Sequence, residues 1–168
     1  METKVLKMKI SDYLGTVLDE NCLPDNQFIK SRDWKCIVIP GEPNMMEIEW
    51  LSNSINDAGL AKLINIYFEY QKIRVEYNIT KSSIDDILKA LRSNLEKYSL
   101  ITNESSDFIC FRHQSGDFYM ICGPEKFVVS SYKCSVKTAK FMFDEYIKEF
   151  KIDEKRKLQD VWGRYMNL

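Results

Sequence analysis

Glycine is scarce in this chain, with six in 168 residues, and none falls in the spacing of a dinucleotide fingerprint or a phosphate loop. Both of those devices need glycine so that backbone amides can approach a phosphate. Histidine is scarcer still, since His113 is the only one. The five cysteines, at positions 22, 36, 110, 122 and 134, include no Cys-x-x-Cys. The 12-residue intervals between the last three lack the close pairing of zinc ligands. An odd number of thiols leaves one without an intramolecular partner and fits a reducing compartment. Long apolar runs are missing as well. Phe118 to Cys122 is among the longest, far short of the roughly 20 residues that cross a bilayer as a helix. Lysines interrupt the first ten residues, where a secretory signal needs an unbroken apolar stretch. The expectation is a cytoplasmic protein with no cofactor, no metal and no membrane span. On that expectation the acceptor patterns at Asn78 to Thr80 and Asn103 to Ser105 are chance matches.

What is present is an ordinary globular composition. Hydrophobic residues make up 45% and charged residues 29%, and the net charge is −1, which is far from the polar, highly charged composition of disordered chains. With 18 lysines, 17 isoleucines and 10 asparagines against 4 alanines, the usage is that of A/T-rich codons and suggests a bacterial or mobile-element source. No repeat or Gly/Ser linker divides residues 1–168, which predicts a single α+β domain.

The pattern changes along the chain. Ser11 to Leu18 is weakly helical, Pro24 to Asn26 reads as a turn, and Trp34 to Ile39 reads as a strand ended by Pro40 to Pro43. Helical spacing resumes near Ser54 through Leu60, Leu63, Ile64 and Tyr67, yet Ile64, Ile66, Phe68 and Tyr70 also alternate as a strand would. Ile64 to Tyr70 stays open between the two. Ile73, Val75, Tyr77 and Ile79 alternate with polar residues, a half-buried strand. Ser83 with Asp86 resembles a capping box, and Ile84, Ile87, Leu88, Leu91, Leu95 and Tyr98 form the stripe that follows.

Two aromatic-rich strands, Phe108 to His113 and Phe118 to Cys122, flank Ser115-Gly116-Asp117 and predict a hairpin. Its alternation puts Ile109, Phe111, His113, Phe118, Met120 and Cys122 on one face, while Phe108, Cys110, Tyr119 and Ile121 make the other face apolar too. A hairpin apolar on both faces belongs inside an antiparallel or mixed sheet packed against several helices. A short helix from Pro124 to Tyr132, a longer one from Ser135 to Phe150 and a last one opening at Asp153 complete the prediction.

Few residues here carry chemistry. His113 borders a hairpin turn, but Cys110 falls on the opposite face of its strand, so the element itself holds no Cys-His dyad. An enzyme would have to gather a distant serine, cysteine or carboxylate around His113. The pairs Asp85-Asp86 and Asp153-Glu154 sit at predicted helix starts, where carboxylates oppose the positive dipole end. The C-terminal bases Lys148, Lys151, Lys155, Arg156, Lys157 and Arg164 would be a nucleic-acid footprint were they not interleaved with Asp144, Glu145, Glu149, Asp153, Glu154 and Asp160. Nucleic acid is therefore not the expected partner, although a phage or mobile-element accessory protein binding it is a competing reading.

Residues 40 to 110 are net −4 and residues 111 to 168 net +3. Within the acidic part, Glu42, Glu47 and Glu49 accompany Met45, Met46 and Trp50, a mixture of acids and large apolar groups suited to a basic partner. Glu47 and Glu49 share a face if Met45 to Trp50 is a strand, an arrangement that also admits paired-carboxylate chemistry. The expected partner-binding residues are Glu42, Glu47, Glu49 and Trp50. Reversing the three acids is expected to slow partner capture more at low salt than at high salt.

The stretch from Asp107 to Val129, with its hairpin, its Gly123-Pro124 exit and its Phe127-Val128 turn, leads into the aromatic helix Ser135 to Phe150. In character it resembles small immunity proteins of bacterial polymorphic and contact-dependent toxin systems. The resemblance implies a protein that binds the toxin domain of its own system and blocks it by contact, without a cofactor or small-molecule substrate. It transfers no site residue.

Overall fold

Capping residues and alternation account for most of the elements in the computed structural model, which describes residues 2–167, with side chains described from Lys9 onward. The chain opens with α1 (Glu2–Val17), α2 (Asn26–Ser31), β1 (Lys35–Pro40) and α3 (Met45–Asp57). Next come β2 (Lys62–Glu69), a short 3-10 turn at Tyr70–Lys72, β3 (Ile73–Lys81), α4 (Ile84–Arg92) and β4 (Tyr98–Thr102). Last are β5 (Ile109–Arg112), β6 (Phe118–Gly123), α5 (Glu125–Ser131), α6 (Val136–Ile147) and α7 (Ile152–Met166). The fold is α+β, with six strands in one antiparallel sheet ordered β1-β6-β5-β4-β2-β3.

The hairpin forms in the expected register. Ile109 faces Cys122 and Phe111 faces Met120 on one side, while Cys110 faces Ile121 and Arg112 faces Tyr119 on the other. Every residue of β4, β5 and β6 is buried, so this is the middle of the sheet with helices on both faces. Tyr13 of α1 and Tyr165 of α7 serve one side, the second by donating its hydroxyl to Pro24 O at 2.6 Å. On the other side α3 meets β6 through Glu47 and Tyr119, and α4 meets β2 through Ala90 and Tyr67. The Asp25 and Ser135 side chains cap α2 and α6.

Three expectations are corrected. Met45 to Trp50 is not a strand but the start of α3, because Asn44 and Glu47 form a reciprocal capping box at 2.9 and 3.0 Å. On a helix, residues two apart point nearly oppositely, so Glu47 and Glu49 do not share a face. Helical structure therefore begins nine residues before Ser54 and stops at Asp57; the segment left open is a strand as far as Glu69, paired with both β3 and β4. Finally, the stripe after Ser83 ends at Arg92, and Tyr98 begins β4, where it stacks on Phe68 at 5.2 Å.

A candidate contact face and the cavity at His113

The four residues singled out in the sequence divide in the structure. Glu42 reaches into the fold and accepts the Arg112 Nε hydrogen at 3.1 and 3.2 Å. Arg112 is fully buried and donates also to Lys97 O at 2.8 Å and Leu95 O at 2.6 Å. This is a buried cation satisfied by one carboxylate and two carbonyls, tying β5 to the chain before α3 and after α4. Gly116 has φ +73°, a left-handed backbone that favours glycine, and Glu42 Oε1 lies 2.7 Å from where its Cβ would stand. Glu47 is buried, closing the cap of α3 and accepting the Tyr119 hydroxyl at 2.9 Å. Burial pushes that hydroxyl well above its ordinary pKa, and the Glu47 carboxylate adds to the effect.

Glu49 is exposed, and Trp50 is half-buried with its ring edge against Tyr132 at 6.0 Å. Beyond Trp50, buried Tyr132 at the end of α5 leads to α6. Tyr132 Oη lies 3.9 Å from Met142 Sδ, and Tyr146, one turn further along α6, lies over Gly41. Met46 precedes Trp50 by one turn of α3. Met45 and Met46 are each about half exposed, Met142 and Tyr146 somewhat less, and Phe141 more. Burial raises the Tyr146 hydroxyl, helped by the carboxylates of Asp117 and Glu42, which mark the acidic rim of this surface. Lys140 and Lys148 on the same helix are neutralised by Asp144 and Glu145.

At the turn of the hairpin, a cavity of about 610 Å³ is bounded by Tyr70, Tyr98, His113, Phe118, Leu158 and Val161. His113 stacks on Phe118 and meets the edge of Tyr98, both rings lying about 5 Å away. Its Nδ1 accepts the Ser115 backbone N–H at 3.2 Å and lies 2.8 Å from Ser115 Oγ, which in turn accepts the Asp117 N–H. Because a backbone N–H can only donate, Nδ1 is the acceptor and Nε2 carries the proton in the neutral ring. Burial lowers the His113 pKa to about 4, with Arg112 adding to the shift and Asp117 opposing it. The His-Ser contact is thus a hairpin-turn motif around a weak base. In a nucleophile-activating triad, serine and the orienting carboxylate occupy opposite ring nitrogens.

Sequence reasoning missed Arg112, Met142 and Tyr146. Strand alternation sets Arg112 on the same apolar sheet face as Cys110, a signal that was there to be used; the meeting of α6 with Gly41 leaves none in the sequence. Among the described residues no group of three or more histidines, cysteines and carboxylates could hold a metal ion, and no helix is long and apolar enough to cross a membrane. The chain matches no protein-family model, no curated protein and no solved structure.

Proposed function

We propose that this is a cytoplasmic, immunity-type protein that neutralises a bacterial toxin domain by binding it through the face built on α3 and α6. The observation that carries the reading is the exposure of Met45, Met46, Met142 and Tyr146 on two well-packed helices, with half-buried Trp50 on the first of them and the carboxylates of Glu42, Glu49 and Asp117 at the edge. Methionine and aromatic groups suit the centre of an interface because they add contact area and adapt to a partner. Carboxylates at the rim favour a basic partner and speed encounter. A stable complex would bury on the order of 800 Å² on each side. The partner is then a toxin domain with a basic, partly apolar surface.

Co-expression with the product of a toxin-bearing gene adjacent to its own tests the proposal. Protection of the cell and co-purification of the two chains are the expected outcomes; growth arrest despite a soluble, folded protein counts against it. The competing reading, an enzyme centred on His113, draws on the His113-Ser115 contact within the 610 Å³ cavity. A ring titrating near 4 makes a poor general base at neutral pH, and for that reason the binding reading is preferred.

A further inference from the structure

We propose that Cys36 and Cys122 form an oxidative modification site at which a hydroperoxide generates a disulfide between β1 and β6. The two residues are direct partners in the antiparallel register, so their side chains leave the same face of the sheet. Directly opposed antiparallel residues have Cα atoms roughly 4.5 or 5.5 Å apart, within the range of about 4.4–6.8 Å that a disulfide spans. Their sulfurs are 2.8 Å apart as free thiols, so reaching the bonded distance takes a closure of about 0.8 Å.

Access to the two sulfurs is unequal. Cys36 lines a groove of about 560 Å³ between β1, α5 and α7, with Val128, Tyr132 and Met166 among its walls. Cys122 is fully buried. A water-sized oxidant entering the groove therefore meets Cys36 first. The three remaining cysteines are not paired with either: Cys110 faces the other side of the sheet opposite Ile121, Cys134 lies at the groove rim between α5 and α6, and Cys22 is buried in the turn between α1 and α2.

The chemistry balances with hydrogen peroxide as oxidant. The Cys36 sulfur, as thiolate, attacks one peroxide oxygen; the O–O bond breaks, hydroxide leaves, and Cys36 becomes a sulfenic acid. The Cys122 sulfur then attacks the Cys36 sulfur, the S–O bond breaks, and the oxygen departs as water with the Cys122 proton. Two electrons pass from the sulfurs to peroxide. Burial, reinforced by Cys36, keeps Cys122 a thiol, so it supplies the proton that leaves with the oxygen, while its contact with Cys36 rather than its acidity brings it to the sulfenic sulfur. The product joins residues 86 apart in sequence and fastens the edge strand β1 to the middle of the sheet.

The test is to reduce the full chain, treat it with hydrogen peroxide at pH 8, remove the oxidant, denature, alkylate and weigh it. The site predicts three alkylated cysteines of the five, loss of two hydrogens, and one cross-linked peptide pair holding Cys36 and Cys122 that separates with dithiothreitol. The pair should form equally well in Cys134→Ser. In Cys122→Ser the intermediate should persist and be trapped at Cys36 by dimedone. Five alkylated cysteines after treatment, or a bond joining any other pair, would overturn the assignment.

Discussion

Arg112 is a buried cation, so the carboxylate of Glu42 matters more to folding than its surface position suggests. Glu42→Gln leaves the guanidinium with two carbonyls and no counter-charge, and should cost about 2–3 kcal/mol, while Glu49→Gln on the exposed face of α3 should cost less than about 0.5 kcal/mol. Urea unfolding of the two variants measures the difference. His113 makes a pH-dependent contribution of defined sign. Its folded value of about 4 lies below the ordinary 6.5, so the unfolded chain takes up the proton first. Stability contributed by the neutral ring is therefore complete above about pH 6.5 and declines as pH falls toward 4. For a ring at a partly wet turn the loss is about 2–3 kcal/mol. His113→Phe keeps an aromatic ring between Tyr98 and Phe118 and should lack this part of the acid slope in urea midpoints between pH 7 and 4. Residue roles of this kind were the least legible from sequence. Glu42 and Glu47 find partners 70 and 72 residues away, contacts that leave no periodic trace, and both acids turned out to be engaged within the fold. Consequently, reversing all three acids would test stability, and only Glu49 isolates capture by a partner.

Elements were legible where local chemistry and burial agreed. β3, the Ser83-capped start of α4 and the β5-β6 hairpin carried alternation, a cap or a turn that the tertiary structure retained. β4 was hidden for a physical reason: a strand buried at all five positions has no alternation to show, and Leu95 and Tyr98 continue the helical spacing of α4 by coincidence. α3 was misread although its Asn44-x-x-Glu47 capping box was present, because a Met-Met-Glu-Ile-Glu-Trp run also alternates in part. Asn44→Ala removes the acceptor for the Glu47 amide and should lower stability by about 1 kcal/mol, a shift measurable by thermal melting. The sheet should also exchange unevenly. Amides of β4 to β6 are buried between helices and should protect longest, whereas β3, an edge strand with no fully buried residue, should exchange first in hydrogen-exchange mass spectrometry.

At the scale of the whole molecule, a central antiparallel sheet has helices on both faces, and most large apolar side chains are consumed in that packing. The exposed methionines and aromatics of α3 and α6 are a departure from it; those of α3 fall in the segment that composition marked as acidic and apolar, whereas those of α6 fall in the net-basic part of the chain. Met45 and Met46 are the best probes of this face, because they lie in the first turn of α3, are about half exposed, and can become alanine without loss of helix propensity. The most direct measurement is the dissociation constant for the proposed partner, the product of a toxin-bearing gene adjacent to its own, compared between the natural protein and Met45→Ala/Met46→Ala, with melting temperatures taken in parallel. The account predicts at least about tenfold weaker binding with the melting temperature unchanged. Equal affinity in the two proteins, or no complex with the natural one, would contradict it.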